Sequence, residues 1–82
     1  MTTTEFNTKY EDYLEEDYYG LAIPLPHVIK YLDKVFQELI EIPGFKYSQI
    51  KLKFNSARFY CANVPEERVR DIENTIMDFI KM

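Results

Sequence analysis

Apolar and polar residues alternate with a period of two across residues 47–54 and again across 57–62. That pattern predicts two strands, and Asn55-Ser56 between them predicts a tight two-residue turn. The turn sets Phe54 opposite Ala57, Lys53 opposite Arg58, Leu52 opposite Phe59, Lys51 opposite Tyr60 and Ile50 opposite Cys61. Ile50, Leu52, Phe54, Ala57, Phe59 and Cys61 then share one face of the hairpin. Gln49, Lys51, Lys53, Arg58 and Tyr60 share the other, with Tyr47 on their side. A slip of one residue would bring charge opposite the apolar set, so the pairing is strongly specified.

Helical spacing occupies most of the remaining chain. Thr2 and Glu5 have capping-box spacing, Gly20 suits a C-terminal stop, and Phe6, Tyr10, Tyr13, Leu14 and Tyr18 recur as a stripe. A first helix is predicted over about residues 3–19. Residues 21–25, LAIPL, are interrupted by Pro24 and predict an edge strand or an extended connector. Pro26 suits the first turn of a second helix over about 26–41, ended by Pro43-Gly44. Its apolar positions, Val28, Ile29, Leu32, Val35, Phe36, Leu39 and Ile40, predict the principal contact with the hairpin. Asn63 as N-cap and Pro65 in the first turn predict a third helix over about 64–81, buried through Val69, Ile72, Ile76, Phe79 and Ile80. The fold class is α+β, in the order α-α-β-β-α, with an antiparallel hairpin covered on one face, in one domain over 1–82. A lone two-stranded ribbon leaves both edges unpaired. One edge is therefore expected to be paired, either by residues 21–25 or by a second copy in a homodimer.

The run Gln49-Ile50-Lys51-Leu52-Lys53-Phe54, followed by Arg58-Phe59-Tyr60, resembles a hairpin of the form Q-(I/V)-K-E-K-F-G-x-L-R-F-Y. It recurs in a family of small uncharacterised bacterial and prophage-encoded proteins, with an amphipathic helix before and after it. The resemblance covers roughly residues 26–82. Leu52 stands where an acid is common, and Asn55-Ser56-Ala57 replaces a glycine-containing turn. The resemblance implies a phage or prophage setting and no established chemistry. This sequence ends before the cysteine-bearing tail of longer relatives, so their metal binding is not carried over.

Composition narrows the options further. Among 82 residues, 46% are hydrophobic, with seven Tyr and six Phe, which supplies a core for one small domain. One cysteine and one histidine exclude an internal disulfide and a His/Cys metal set, and no cofactor is expected. Cys61, on the apolar face, reads as a small buried hydrophobe. The first 20 residues lack a signal-peptide pattern, and no run approaches the ~18 apolar residues of a membrane span. The expectation is a cytoplasmic protein with no membrane partner, in the host cytoplasm if phage-encoded.

Charge is segregated. Residues 1–20 carry six carboxylates against Lys9, a net of −5, whereas nine cations and eight carboxylates after Gly20 sum to +1. The set Tyr10, Glu11, Asp12, Tyr13, Glu15, Glu16, Asp17, Tyr18 and Tyr19 reads in two ways. As structure, it is an acidic helix whose tyrosines join the core. As function, it joins rigid aromatic contact area to a field that attracts a basic protein, including a nucleic-acid-handling host enzyme whose phosphate site it would imitate.

Lys51, Lys53 and Arg58, interleaved with Tyr60, suit phosphate contacts and base stacking. A net charge of −4 weighs against nucleic acid as the main ligand. Lys53 opposite Arg58 also repels unless an anion answers, and the carboxylates of the first helix are internal candidates. Enzymatic chemistry has the least support. No glycine-rich phosphate loop or nucleophile–base pair is present, and His27 at a helix start reads as structural or exposed. Glu15/Glu16 and Glu66/Glu67 splay around their helices as surface groups. The leading reading is a non-enzymatic, phage-encoded protein-binding inhibitor. The alternatives are a nucleic-acid binder using the hairpin and a self-assembling structural subunit.

Overall fold

A capping box opens the first helix. Thr2 Oγ1 accepts from the Glu5 N–H at 3.1 Å, and Glu5 Oε1 accepts from the Thr2 N–H at 2.9 Å. In the computed structural model, which describes residues 1–81, this helix, α1 (Thr3–Lys9), is much shorter than the predicted 3–19. A 3-10 turn follows at Glu11–Tyr13, and then the chain is extended. Helical i→i−4 bonding does not continue beyond Tyr13: the Glu15 N–H donates to Tyr47 O at 2.8 Å, and Leu14 bridges Tyr47 in parallel. Asp17, at φ +66°, leaves the helical region altogether. A helix there would also stack Glu11 over Glu15 and Asp12 over Glu16, like charges that repel at i,i+4.

The remaining elements are β1 (Gly20–Leu21), α2 (Pro26–Leu39), β2 (Lys46–Lys53), β3 (Ser56–Ala62) and α3 (Glu66–Lys81). Together they give the α+β class and the α-α-β-β-α order, with one addition. The sheet is three-stranded and mixed, in the order β1-β2-β3. β1 runs parallel to β2, Gly20 opposite Gln49 and Leu21 opposite Ile50, and the Ala22 N–H donates to Ile50 O at 2.8 Å. Parallel neighbours need a long crossover, and α2 is that crossover. One edge of the hairpin is thus paired within the chain by part of the 21–25 segment. At the other edge the Phe59 N–H donates to Glu73 Oε2 of α3 at 2.8 Å.

The hairpin keeps its predicted faces except at Phe54 and Tyr47, and it does not keep its predicted pairing. Phe54 (φ 51°) and Asn55 (φ 60°) are the two central turn residues, not Asn55-Ser56. Positive φ at both is the geometry whose twist suits a two-residue hairpin. Lys53 then faces Ser56, Leu52 faces Ala57, Lys51 faces Arg58, Ile50 faces Phe59 and Gln49 faces Tyr60. The register moves by two, which preserves side-chain parity. Phe54 leaves the underside for the tip, where it is 86% exposed, and Leu52 beside it is 45% exposed. A bulge between Tyr47 and Gln49 reverses parity below Ser48. Tyr47, expected on the polar side, is therefore fully buried.

The helices and the covered sheet face enclose one core. Phe36 of α2 is at its centre, edge-on to Phe6, Tyr10, Tyr47 and Phe45 at centroid distances of 4.9, 5.0, 4.9 and 5.4 Å. Each such pair adds about 0.5–1.5 kcal/mol beyond area burial. From α3, Ile72 and Ile76 are buried, while Val69, Phe79 and Ile80 pack at the margin. Asn63 does not cap α3. It takes φ +67° and donates from Nδ2 to Gly44 O at 2.7 Å, tying the loop before β2 to the loop after β3.

One side chain joins α1 to the sheet. Asn7 Oδ1 accepts from the Leu21 N–H at 2.9 Å and from the Tyr47 hydroxyl at 3.0 Å, while its Nδ2 donates to Leu21 O at 3.1 Å. Gly20 passes beneath it at φ +72°, and a Cβ there would overlap Asn7 Oδ1. Gly20→Ala should therefore lower unfolding stability by about 2 kcal/mol in urea titrations. In an Asn7→Ala background the same change should cost less, because only the backbone strain is left.

Phe54 carries a strain of its own, a bulky side chain at a left-handed position that asparagine accepts. Phe54→Asn should raise the urea midpoint, by about 1 kcal/mol of stability.

Candidate functional site

The acidic segment leaves the outer edge of β2 and returns to it. Leu14 bridges Tyr47 and Gly20 pairs with Gln49, so residues 15–19 form an excursion over only two steps of β2. Glu15, Glu16, Asp17, Tyr18 and Tyr19 are all exposed, Tyr18 at 57% and Tyr19 at 79%. The Tyr18 N–H donates to Glu15 O at 3.3 Å and closes the turn. Both feet are held, one by the Glu15–Tyr47 hydrogen bond and the other by Asn7 on Leu21. Lys46 Nζ donates to Asp12 O at 2.7 Å and secures the preceding 3-10 turn, from which Glu11 and Asp12 point to solvent.

The candidate set therefore divides. Glu11, Asp12, Glu15, Glu16, Asp17, Tyr18 and Tyr19 form a continuous exposed stretch interrupted only by Tyr13 and Leu14. Tyr13 is half-buried, its ring 6.1 Å from Phe45. Tyr10 belongs to the core and is not a surface residue. Its hydroxyl donates to Asp33 Oδ1 at 2.6 Å and accepts from Gln37 Nε2 at 2.7 Å. Asp33 also accepts from Lys9 Nζ at 2.8 Å. Burial alone would raise the Asp33 carboxyl, but the hydrogen bonds from Lys9 and Tyr10 outweigh it and hold it below the ordinary value.

The second candidate surface is the sheet face turned away from the helices. Lys51 lies directly opposite Arg58, Lys53 opposite Ser56, and Tyr60 opposite Gln49. Tyr60 is 44% exposed, with Lys51 Nζ 5.9 Å from its ring centroid. Among the described residues the ion pairs are Lys9–Asp33, Arg68–Glu38 and Arg70–Glu66. None involves Lys51, Lys53 or Arg58, and none involves a carboxylate of residues 11–17. The internal neutralisation considered from sequence is not made.

Two further features bear on chemistry. At the hairpin tip, Leu52, Phe54, Met77 and Ile80 line a groove of about 380 Å³ beside Lys53 and Lys81. Sequence reasoning missed it by placing Phe54 underneath; an aromatic next to an asparagine that can take either central turn position was the available signal. Cys61, on the covered side, is half-buried, and burial together with the Glu73 carboxylate pushes its thiol up to about 11. His27 is exposed at the start of α2. Among the described residues no three His, Cys, Asp or Glu side chains come together as a metal set. No helix among them is long and apolar enough to cross a membrane.

Compared with protein-family models, curated proteins and solved structures, the chain matches none.

Two buried phenols predict an alkaline limit for the fold. Burial pushes Tyr47 well above the ordinary tyrosine value of 10.0, and burial with the Asp33 carboxylate does the same for Tyr10. The native state thus favours the protonated phenols, as it favours the Cys61 thiol over its ordinary 9.0. Their contribution is intact below about pH 9 and is lost as pH rises, because the unfolded chain ionises first. Melting temperatures should be level from about pH 7 to 9 and fall steeply toward pH 11. A level profile to pH 11 would contradict the burial of these groups.

Proposed function

We propose that this protein is a non-enzymatic binding protein that captures a basic protein surface with Glu11, Asp12, Glu15, Glu16, Asp17, Tyr18 and Tyr19. The observation that carries this reading is the excursion over residues 15–19. Its carboxylates are unpaired within the described chain, and they directly precede two tyrosines that are more than half exposed. Tyrosine brings large contact area at low conformational cost and is a frequent interface anchor. Because the feet of the excursion are held by hydrogen bonds, little backbone ordering is left for the moment of binding.

Closely spaced carboxylates on a projecting turn present a charge pattern similar to that of a phosphate backbone. Together with the prophage resemblance of the hairpin, this supports a phage-encoded inhibitor acting on a nucleic-acid-handling host enzyme in the host cytoplasm. Charge complementarity would speed encounter with such an enzyme and make it salt-dependent.

The test is capture from host-cell extract with three forms of the protein: native, Glu15→Lys/Glu16→Lys, and Tyr18→Ala/Tyr19→Ala. Among the described residues none of these side chains makes a hydrogen bond or ion pair, so circular dichroism and melting should be unchanged. A partner retained by the native protein should be lost at least about tenfold with either variant. Capture by the charge-reversed form equal to that of the native protein would rule the reading out.

A further inference from the structure

The sheet face without helices presents a problem that the fold itself does not solve. Lys51 and Arg58 occupy directly opposed positions on β2 and β3, and like charges so placed are destabilising. Neither has a carboxylate partner among the described residues, and Lys53 on the same face has none. Gln49 and Tyr60 complete the face one rung beyond Ile50 and Phe59, which point the other way. From the Lys53–Ser56 rung to the Gln49–Tyr60 rung is four steps, roughly 13 Å of ribbon. That length exceeds a single anion, and it places cations along a line with an aromatic ring at its end.

We propose that this face binds a single strand of nucleic acid, with Lys51, Lys53 and Arg58 on phosphates and Tyr60 as a stacking platform for a base. The charge complementarity that is missing inside the chain is what a phosphate backbone supplies. The sheet face without helices gives an unpaired base access to the Tyr60 ring, of which Lys51 Nζ covers one side at 5.9 Å, and stacking of that kind is tolerant of sequence. A lipid surface fits less well. The exposed apolar groups of the hairpin, Phe54 and Leu52, lie at its tip, whereas Tyr60 and Arg58 lie along the ribbon and would stand off a membrane touched by that tip. An acidic polypeptide would satisfy the cations but would leave Tyr60 without a defined task.

The acidic residues do not cancel this site. Those of the excursion flank the β1 side of the sheet, while Arg58 and Tyr60 are on β3, at the opposite side, where the carboxylate at the edge, Glu73, is engaged by the Phe59 N–H. They act as a repulsive border, which gives the two surfaces opposite responses to the same substitution. The inference does not rest on the protein-binding reading.

The test is fluorescence anisotropy of a labelled oligothymidylate of about 12 nucleotides with the full chain, at about 50 and 200 mM salt. Three phosphate contacts predict a log–log salt slope of about −2, hence a loss of about 20-fold across that interval. Lys51→Gln should flatten the slope by about 0.7. Tyr60→Ala should weaken binding by about tenfold and leave the slope unchanged. Lys30→Gln/Lys34→Gln, on the exposed side of α2, should change nothing. Glu15→Gln/Glu16→Gln/Asp17→Asn should tighten oligonucleotide binding while weakening capture of a protein partner, so failure of one reading is distinguishable from failure of the other. No anisotropy change at 50 mM salt would overturn the proposal. So would equal losses from the Lys30/Lys34 and Lys51 variants, or binding of anionic phosphatidylserine vesicles that Phe54→Asn abolishes while the oligonucleotide stays free.

Discussion

The amide of Asn7 is the constraint on which this fold turns. Its oxygen accepts from the Leu21 backbone and from the Tyr47 phenol, and its nitrogen donates back to Leu21. One side chain on α1 thereby replaces the neighbouring strand that β1 lacks on its outer side. It also gives the buried Tyr47 hydroxyl a partner that it would otherwise lose on entering the core, where an unsatisfied hydroxyl costs about 1–3 kcal/mol. Gly20 is the backbone counterpart of that amide, since any Cβ would occupy the space of Oδ1. Leu21 can join the sheet only because Gly20 takes a left-handed turn beneath Asn7.

Much of the architecture rests on local signals, and those were legible. The amphipathic spacing of Val28 to Leu39 and of Val69 to Ile80 marks α2 and α3. The alternation around Ile50 and Phe59 sorts the faces of the hairpin even though the turn was placed one residue late. That tolerance has a physical cause: a two-residue change of register leaves every side chain on its own face. What was not legible depends on partners far along the chain. Tyr47 enters the core because a bulge at Ser48 reverses parity, and a bulge leaves no mark in a period-two pattern. Residues 10–19 have the stripe of an amphipathic helix, yet the Glu15 N–H is claimed by Tyr47 O, more than thirty residues away. The like-charge stacking of Glu11 on Glu15 and Asp12 on Glu16 was the local warning against that helix.

The candidate surfaces changed more than the fold did. From sequence, four tyrosines shared the acidic surface; in the structure Tyr10 is a core residue, Tyr13 is a marginal one, and only Tyr18 and Tyr19 are left to meet a partner. The difference is set by contact, not composition. Tyr10, at the C-cap of α1, faces Phe6 and Phe36, whereas Tyr18 and Tyr19 lie well beyond the point where the helix has ended. The basic face lost Tyr47 to the core, but Lys51, Lys53, Arg58 and Tyr60 stay on it because their parity survives the change of register.

A mixed sheet also answers the edge problem that a bare ribbon poses. On one side β1 supplies a short parallel neighbour. On the other, Glu73 reaches from α3 to the Phe59 N–H and occupies the donor that another strand would use. A carboxylate at that point is a blunt obstacle to edge pairing, since an incoming strand would have to displace a charge-assisted hydrogen bond and bury the anion. With one edge filled and the other guarded, what this small fold offers outward is the acidic excursion, the basic face and the apolar tip. The first two carry opposite charge, the excursion on the β1 side of the sheet and Arg58 on β3 at the other.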